Sequence, residues 1–143
     1  MSAPPLSVVM PVHNGLPFVA ASVESLLAQT YRDFELVIGD DGSTDGTAEL
    51  LERFARHDDR IRLARRKRKS GVAAGFNWVT SLARAPLVAI AHADDLAHPD
   101  RLRRQVEALK ARPDAAAVGT LSRGIDAAGR PVQPPNYWRL TRV

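Results

Sequence analysis

The chain has 143 residues, 45% hydrophobic and 25% charged, which suits one packed domain and excludes both a disordered chain and two ordinary domains. It contains no cysteine, which excludes a disulfide framework and thiolate chemistry. The net charge is +4, no basic leader precedes the apolar N-terminal residues, and no apolar run approaches the ~20 residues of a membrane span, so the expected location is cytoplasmic or at most peripheral to a membrane.

In chain order, "LSVVMPV" (Leu6–Val12) reads as a buried strand. Val19, Val23, Leu26 and Leu27 then fall on one helical face. "FELVIGD" (Phe34–Asp40) is a second strand, and Leu50, Leu51 and Phe54 mark a second helix capped by Ser43, Thr44 or Asp45. "IRLAR" (Ile61–Arg65) is a short third strand, followed by a helical stripe of Val72, Phe76, Val79 and Ala83. "LVAIA" (Leu87–Ala91) is continuously apolar, as a strand at the centre of a sheet would be. Pro99 suits the first position of a fourth helix with Leu102, Val106 and Leu109 inward, and "AAAVGT" (Ala115–Thr120) reads as a fifth strand. From Gly124 the tail carries three prolines, a turn at Ala128-Gly129 and no clear period, like the start of an unfinished element. Strand alternating with helix predicts an α/β fold, a mostly parallel sheet with helices on both faces.

Much of the positive charge sits in "RRKRK", Arg65–Lys69. Such a run can hold anionic lipid or a phosphorylated small molecule, or can simply be a solvated loop. No aromatic residues interleave with it and no nucleic-acid-binding motif accompanies it, so nucleic acid is not an expected partner.

The polar residues follow the strands: "HNG" (His13–Gly15) after the first, "DDGSTDGT" (Asp40–Thr47) after the second, "HADD" (His92–Asp95) after the fourth. In an open parallel sheet all three lie at the carboxyl edge, where ligands bind. Singly, each has a plainer account as turn or helix-cap chemistry. Asp94 and Asp95 are the hardest to explain that way, because adjacent carboxylates raise each other's pKa unless a cation neutralises them. A hard divalent ion, Mg2+ or Mn2+, is commonly held by one or two carboxylates and substrate phosphates. His92 adds a nitrogen that manganese accepts more readily than magnesium, although a strand-end residue making an ordinary hydrogen bond is the favoured reading of that histidine.

The segments "LSVVMPVHNG", "SLLAQTYRDFELVIGDDGSTDGT", "SGVAAGFNWVTSLA" and "ADDLAHPDRL" resemble, in order and spacing, the family 2 glycosyltransferases of GT-A fold, over roughly residues 5–120. That resemblance implies a single GT-A-type domain over 1–143, with a donor nucleotide-binding core (5–120) and the start of an incomplete acceptor-side region (121–143). It implies transfer of a sugar from a nucleotide-diphosphate donor to an acceptor hydroxyl, usually with inversion. Pro11, Val12 and His13 would line the nucleobase, Asp41 would hydrogen-bond it, and Asn14 would also bind the nucleotide. The region from Gly71 to Asn77 would close over the nucleotide. Ala93 and Asp94 belong to the D-x-D region, with Asp94 the direct metal ligand, Asp95 its neighbour and His92 a further candidate. Lys69 and its basic neighbours would face the diphosphate. A UDP-sugar is the favoured donor by family habit, and the acceptor would be a saccharide or lipid-linked molecule, which leaves peripheral membrane contact open.

This chain departs from the family at His13, where tyrosine is usual, and at His92, where the first acid of D-x-D is usual. The catalytic base is unknown: after Asp95 the acids are Asp100, Glu107, Asp114 and Asp126, and none resembles the family's base motif. The chain is therefore expected to be a fragment of a longer protein or a naturally short relative. A nucleotide-sugar-binding module without its own base is the alternative. A nucleotidyltransferase is least favoured, because "MPVHNG" lacks the expected glycine-rich basic signature. The unfinished tail could leave an apolar surface for a second copy, a homodimer.

Overall fold

The computed structural model describes residues 3–132. Its elements are β1 (Leu6–Val12), α1 (Val19–Leu27), β2 (Glu35–Asp41), α2 (Thr47–His57), β3 (Ile61–Arg66), α3 (Val72–Ser81), β4 (Leu87–Ile90) and α4 (Arg101–Ala111). The four strands form one sheet in the order β3-β2-β1-β4, and every pairing is parallel.

Alternation along the strands divides the core between the two faces. Val8, Met10, Leu36 and Ile38 pack with Val19, Val23 and Leu26 of α1, Leu51 of α2 and Leu102 and Val106 of α4. Val9 and Val37 point the other way and meet Val79 of α3. Gly39 permits that second contact: a Cβ there would collide with Val79 and lie 2.8 Å from Trp78 Cζ3. These residues account for the helix-on-both-faces layout expected from the alternating pattern.

Four local expectations change. β4 is an edge strand among the described residues, with Val88 43% and Ile90 54% exposed, because α3 covers β1 and β2 and stops short of it. Continuous hydrophobicity thus marked a strand covered on one face only. Ala115–Thr120 forms no strand, since a strand exists only with an edge to pair on, and none of the described strands lies beside it. α2 is capped by Gly46, with φ of 93°, rather than by Ser43, Thr44 or Asp45. α4 begins at Arg101, two residues after Pro99. The expected turn does form: Gly129 N–H donates to Asp126 O, and Ile125 bridges Pro131. The rest of the tail, residues 133–143, lies outside the described residues, and no described helix is long and apolar enough to cross a membrane.

Candidate functional site

The loop after β1 is shaped by the segment after β2. Asn14 adopts a positive φ of 50°; its N–H donates to Ser43 Oγ at 2.9 Å, and its own Oδ1 accepts from Thr44 N at 2.9 Å. Gly15 N–H donates to Thr47 Oγ1 at 2.9 Å, and Leu16 N–H to Asp45 Oδ2 at 3.2 Å. Asp45 also accepts from Thr47 N–H at 3.0 Å, and the Thr47 hydrogen bonds hold its carboxyl below the usual range. Most of "DDGSTDGT" is therefore spent on building the rim. Asp40 is fully buried and accepts from Ser43 N at 3.0 Å and from Arg65 Nε at 3.3 Å.

Asp41 is the acid of this block that reaches the cleft. It is 4% exposed and accepts from Ser70 N at 2.7 Å and from Ser70 Oγ at 2.9 Å. Burial would raise its pKa, but the Ser70 and Gly71 hydrogen bonds and the Arg66 charge outweigh that and lower it. The same bonds tie down the end of the basic run. Within that run Arg65 pairs with Asp40 and Glu52, and Arg66 stacks 4.0 Å over the Trp78 ring. Lys67, Arg68 and Lys69 have no ion-pair partner among the described residues, and Lys69 lines the cleft.

The cleft itself, about 430 Å3, opens at the carboxyl ends of the strands. Pro11, Val12, His13 and Asn14 line it from β1 and its loop; Asp41 and Gly71 from the second region; and His92, Ala93 and Asp94 from the loop after β4. The three polar clusters that are distant in sequence thus converge. Asn77 does not line it and is exposed on α3, while Asp95 belongs to a neighbouring cleft of about 900 Å3 that Asp94 and His92 also border. His13 Nδ1 lies 3.1 Å from the Asp41 carbonyl, so Nδ1 carries the proton and donates. The His92 ring meets Phe76 edge-on at 5.2 Å.

Asp94 and Asp95 are exposed, and among the described residues neither carboxylate accepts a hydrogen bond or forms an ion pair. Asp95 acts on the charge of Arg101, whose pKa burial lowers while Asp95 opposes the shift; its guanidinium donates to Ile90 O at 2.6 Å. Among the described residues no three His, Cys, Asp or Glu side chains gather as a closed metal cage. Two adjacent, unpartnered carboxylates beside a cleft that Lys69 also borders fit a different donor set, a divalent cation completed by phosphate oxygens. The later acids fit no role at the cleft: Asp100 and Glu107 pair with Arg103, Asp114 with Arg112 and Asp126 with Arg130, and none lines either cleft.

Sequence patterns did not single out Ser70, which holds Asp41, or Ser22, Ser25 and Gln29, which bond to the loop carrying Asp94. The signal available for the last three was their helical spacing, polar residues recurring beside an apolar stripe.

Known proteins are similar to this chain. EpsE of Bacillus subtilis, whose name assigns it provisionally to the glycosyltransferases, is 39% identical over 120 residues, which are 83% of this chain and 43% of EpsE. The chondroitin synthase of Escherichia coli is 30% identical over 137 residues, 96% of this chain and 20% of that protein. Among solved structures, the mannosyltransferase PcManGT of Pyrobaculum calidifontis, in complex with GDP-Man and Mn2+, is 27% identical with a TM-score of 0.69, over 76% of this chain and 33% of that one. Staphylococcus aureus TarS 1–349, in complex with UDP-GlcNAc, superposes with a TM-score of 0.70 at 22% identity, over 76% of this chain and 32% of that one. The chain thus spans less than half the length of these relatives, and the part it spans is the GT-A fold. The sequence profile of glycosyl transferase family 2 matches residues 7–142, and with the strand order and the cleft in agreement the chain belongs to that family.

Proposed function

We propose that this chain is the donor-binding part of a glycosyltransferase that moves a sugar from a nucleotide-diphosphate donor to an acceptor hydroxyl with inversion. One observation carries the reading: the loops after β1, β2 and β4 converge on one cleft whose two ends differ chemically. On the β1–β2 side Pro11, Val12, His13 and the buried Asp41 suit a flat heteroaromatic base, with Lys69 next to the Ser70 that bonds Asp41; on the β4 side Asp94 suits the counter-ion of a diphosphate. Asn14 acts at the base end by fixing the loop, since its amide is engaged by Thr44. Gly71 approaches the cleft at a φ of 92°, which favours glycine. Asn77, exposed on α3 beside Phe76, which lines the cleft, is a further candidate to meet the nucleotide.

Asp94, with Asp95 beside it and His92 as a nitrogen donor, would hold Mn2+ or Mg2+, which when bound would neutralise the leaving nucleoside diphosphate. Lys69, which also lines the cleft, adds a positive charge toward the diphosphate. The acceptor hydroxyl attacks the anomeric carbon, the bond to the diphosphate breaks, and a base takes the hydroxyl proton. Residues 5–120 form the donor core in this reading, and 121–143 begin the acceptor side. A UDP-sugar is the favoured donor; the relatives' complexes with UDP-GlcNAc and GDP-Man support a nucleotide sugar and leave the base to experiment. A saccharide or lipid-linked acceptor, action in the cytoplasm, contact with an anionic membrane through Lys67–Lys69, and a homodimer complete the proposal.

A second reading, donor binding without turnover, is favoured by the engagement of Asp100, Glu107, Asp114 and Asp126 in ion pairs away from the cleft. Calorimetric titration with UDP, GDP and dTDP, with and without Mn2+, tests the donor site. One diphosphate is expected to bind more tightly with the metal, and Asp94→Ala should bring its affinity down to the metal-free level. Equal affinity with and without metal in the unaltered chain would remove the cation from the site. Binding without release of diphosphate from the nucleotide sugar, with acceptor saccharides supplied, would select the second reading.

A further inference from the structure

Helix α1 carries two adjacent stripes. Val19, Val23 and Leu26 pack on the sheet, and beside them run Ser22, Ser25 and, just past the helix end, Gln29. Ser22 and Gln29 are 1% and 0% exposed, and burying polar groups costs free energy unless their hydrogen bonds are met. They are met chiefly by the connection from β4 to α4 and the first turn of α4. Ser22 Oγ donates to His92 O at 2.7 Å, and Ala97 N–H donates to Ser25 Oγ at 3.0 Å. Gln29 Nε2 donates to His98 O at 2.8 Å, and its Oε1 accepts from Leu102 N at 3.0 Å. Thr30 adds its N–H to Pro99 O at 2.9 Å.

These contacts fall on both sides of Asp94–Leu96 and leave the two carboxylates free of partners among the described residues. The connection has no sheet ladder or helix of its own between Ala91 and Asp100, so its path is set by α1. The same helix starts directly after the loop that lines the other end of the cleft. Helix α1, together with the parallel pairing of β1 with β4, therefore sets the distance between His13 and Asp94.

We propose that Ser22, Ser25 and Gln29 are positioning residues for the Asp94 carboxylate: the polar stripe of α1 holds the loop so that cation and base ends of the cleft match one nucleoside diphosphate. This rests on the assignment of Asp94 as cation ligand above. A merely structural stripe would lower all affinities together with stability; a positioning stripe acts on the metal-assisted part.

The test uses Ser22→Ala, Ser25→Ala, their double variant and Ser25→Thr, titrated with UDP and GDP with and without Mn2+, alongside Mn2+ titration followed by electron paramagnetic resonance. In the double variant the metal-free affinity should stay within about twofold of the unaltered chain, while the gain conferred by Mn2+ falls at least about fivefold. Ser25→Thr, which retains the hydroxyl at a half-buried position, should recover the gain lost in Ser25→Ala. Should the double variant fail to fold, Ser25→Ala alone carries the comparison. Metal-free and metal-assisted affinities falling together, or a gain left intact, would overturn the proposal while leaving Asp94 as a ligand. No gain in the unaltered chain would overturn the Asp94 assignment and this proposal with it.

Discussion

At the amino end of the sheet, Glu35 is 3% exposed and accepts from Ser7 Oγ at 2.6 Å, from Arg62 at 2.9 Å and from the Arg84 amide and side chain at 2.8 and 2.9 Å. At the carboxyl end, Asp94 and Asp95 are exposed and accept nothing among the described residues. Asp41 stands between these extremes, buried at the cleft and accepting the N–H and hydroxyl of Ser70. The acids of one sheet thus divide by environment. Those that hold the fold are buried and accept from donors of the chain; those that can meet a ligand sit where water supplies their hydrogen bonds until another partner does. Acidity alone does not distinguish the two groups.

The sharpest way to break this contrast is to remove the charge from each. Glu35→Gln leaves Arg62 and Arg84 beside a neutral group and should cost about 3 kcal/mol in urea denaturation, at the low end for a broken buried ion pair because both arginines are partly exposed. The same interaction gives the chain an acid limb. Burial opposes ionisation of Glu35, but the hydrogen bonds from Ser7, Arg84 and Arg62 outweigh it and lower the pKa from 4.5 to about 2. Its contribution is therefore fully present above pH 4.5 and lost as the pH falls toward 2, up to about 3 kcal/mol. Stability measured against pH should lose this component in Glu35→Gln. Asp41→Asn should cost about 1.5 kcal/mol, the scale of hydrogen bonds to a charged acceptor, and should weaken nucleotide binding as well. Asp95→Asn should change stability by less than about 0.5 kcal/mol, as expected of an exposed group without partners. A large destabilisation by Asp95→Asn would erase the division.

The parts of the molecule legible in the sequence are those fixed by local pattern. Leu6–Val12 reads as a strand with the same bounds the structure gives it, because its residues are buried by neighbours on both faces and β propensity agrees with burial. The convergence of His13, Asp41 and Asp94 was equally readable, since a parallel sheet brings all strand ends to one edge. What escaped depends on partners remote in sequence. The exposure of Val88 and Ile90 follows from where α3 stops, which no property of Leu87–Ala91 records. The bonds of Ser22 and Gln29 reach residues near 92 and 98, so their isolated pattern looks like the polar side of a surface helix. Asp41 reads as a ligand-facing acid, and only the fold shows that Ser70 already occupies it.

The parallel pairing of β1 with β4 has a consequence for the order of assembly. β1 meets β2 after one helix, but it meets β4 only after β2, α2, β3 and α3 have intervened, as in the register of Leu6 with Leu87. Closing so long a loop is paid for only once the contacts it brings are available, so topology places β4 late in folding. Until it docks, α1 has no segment for Ser22, Ser25 and Gln29 to bind, and Asp94 has no fixed place. The part of the cleft lined by His13 and Asp41 is then complete while the chain is still folding, and the part lined by Asp94 is assembled with the last strand.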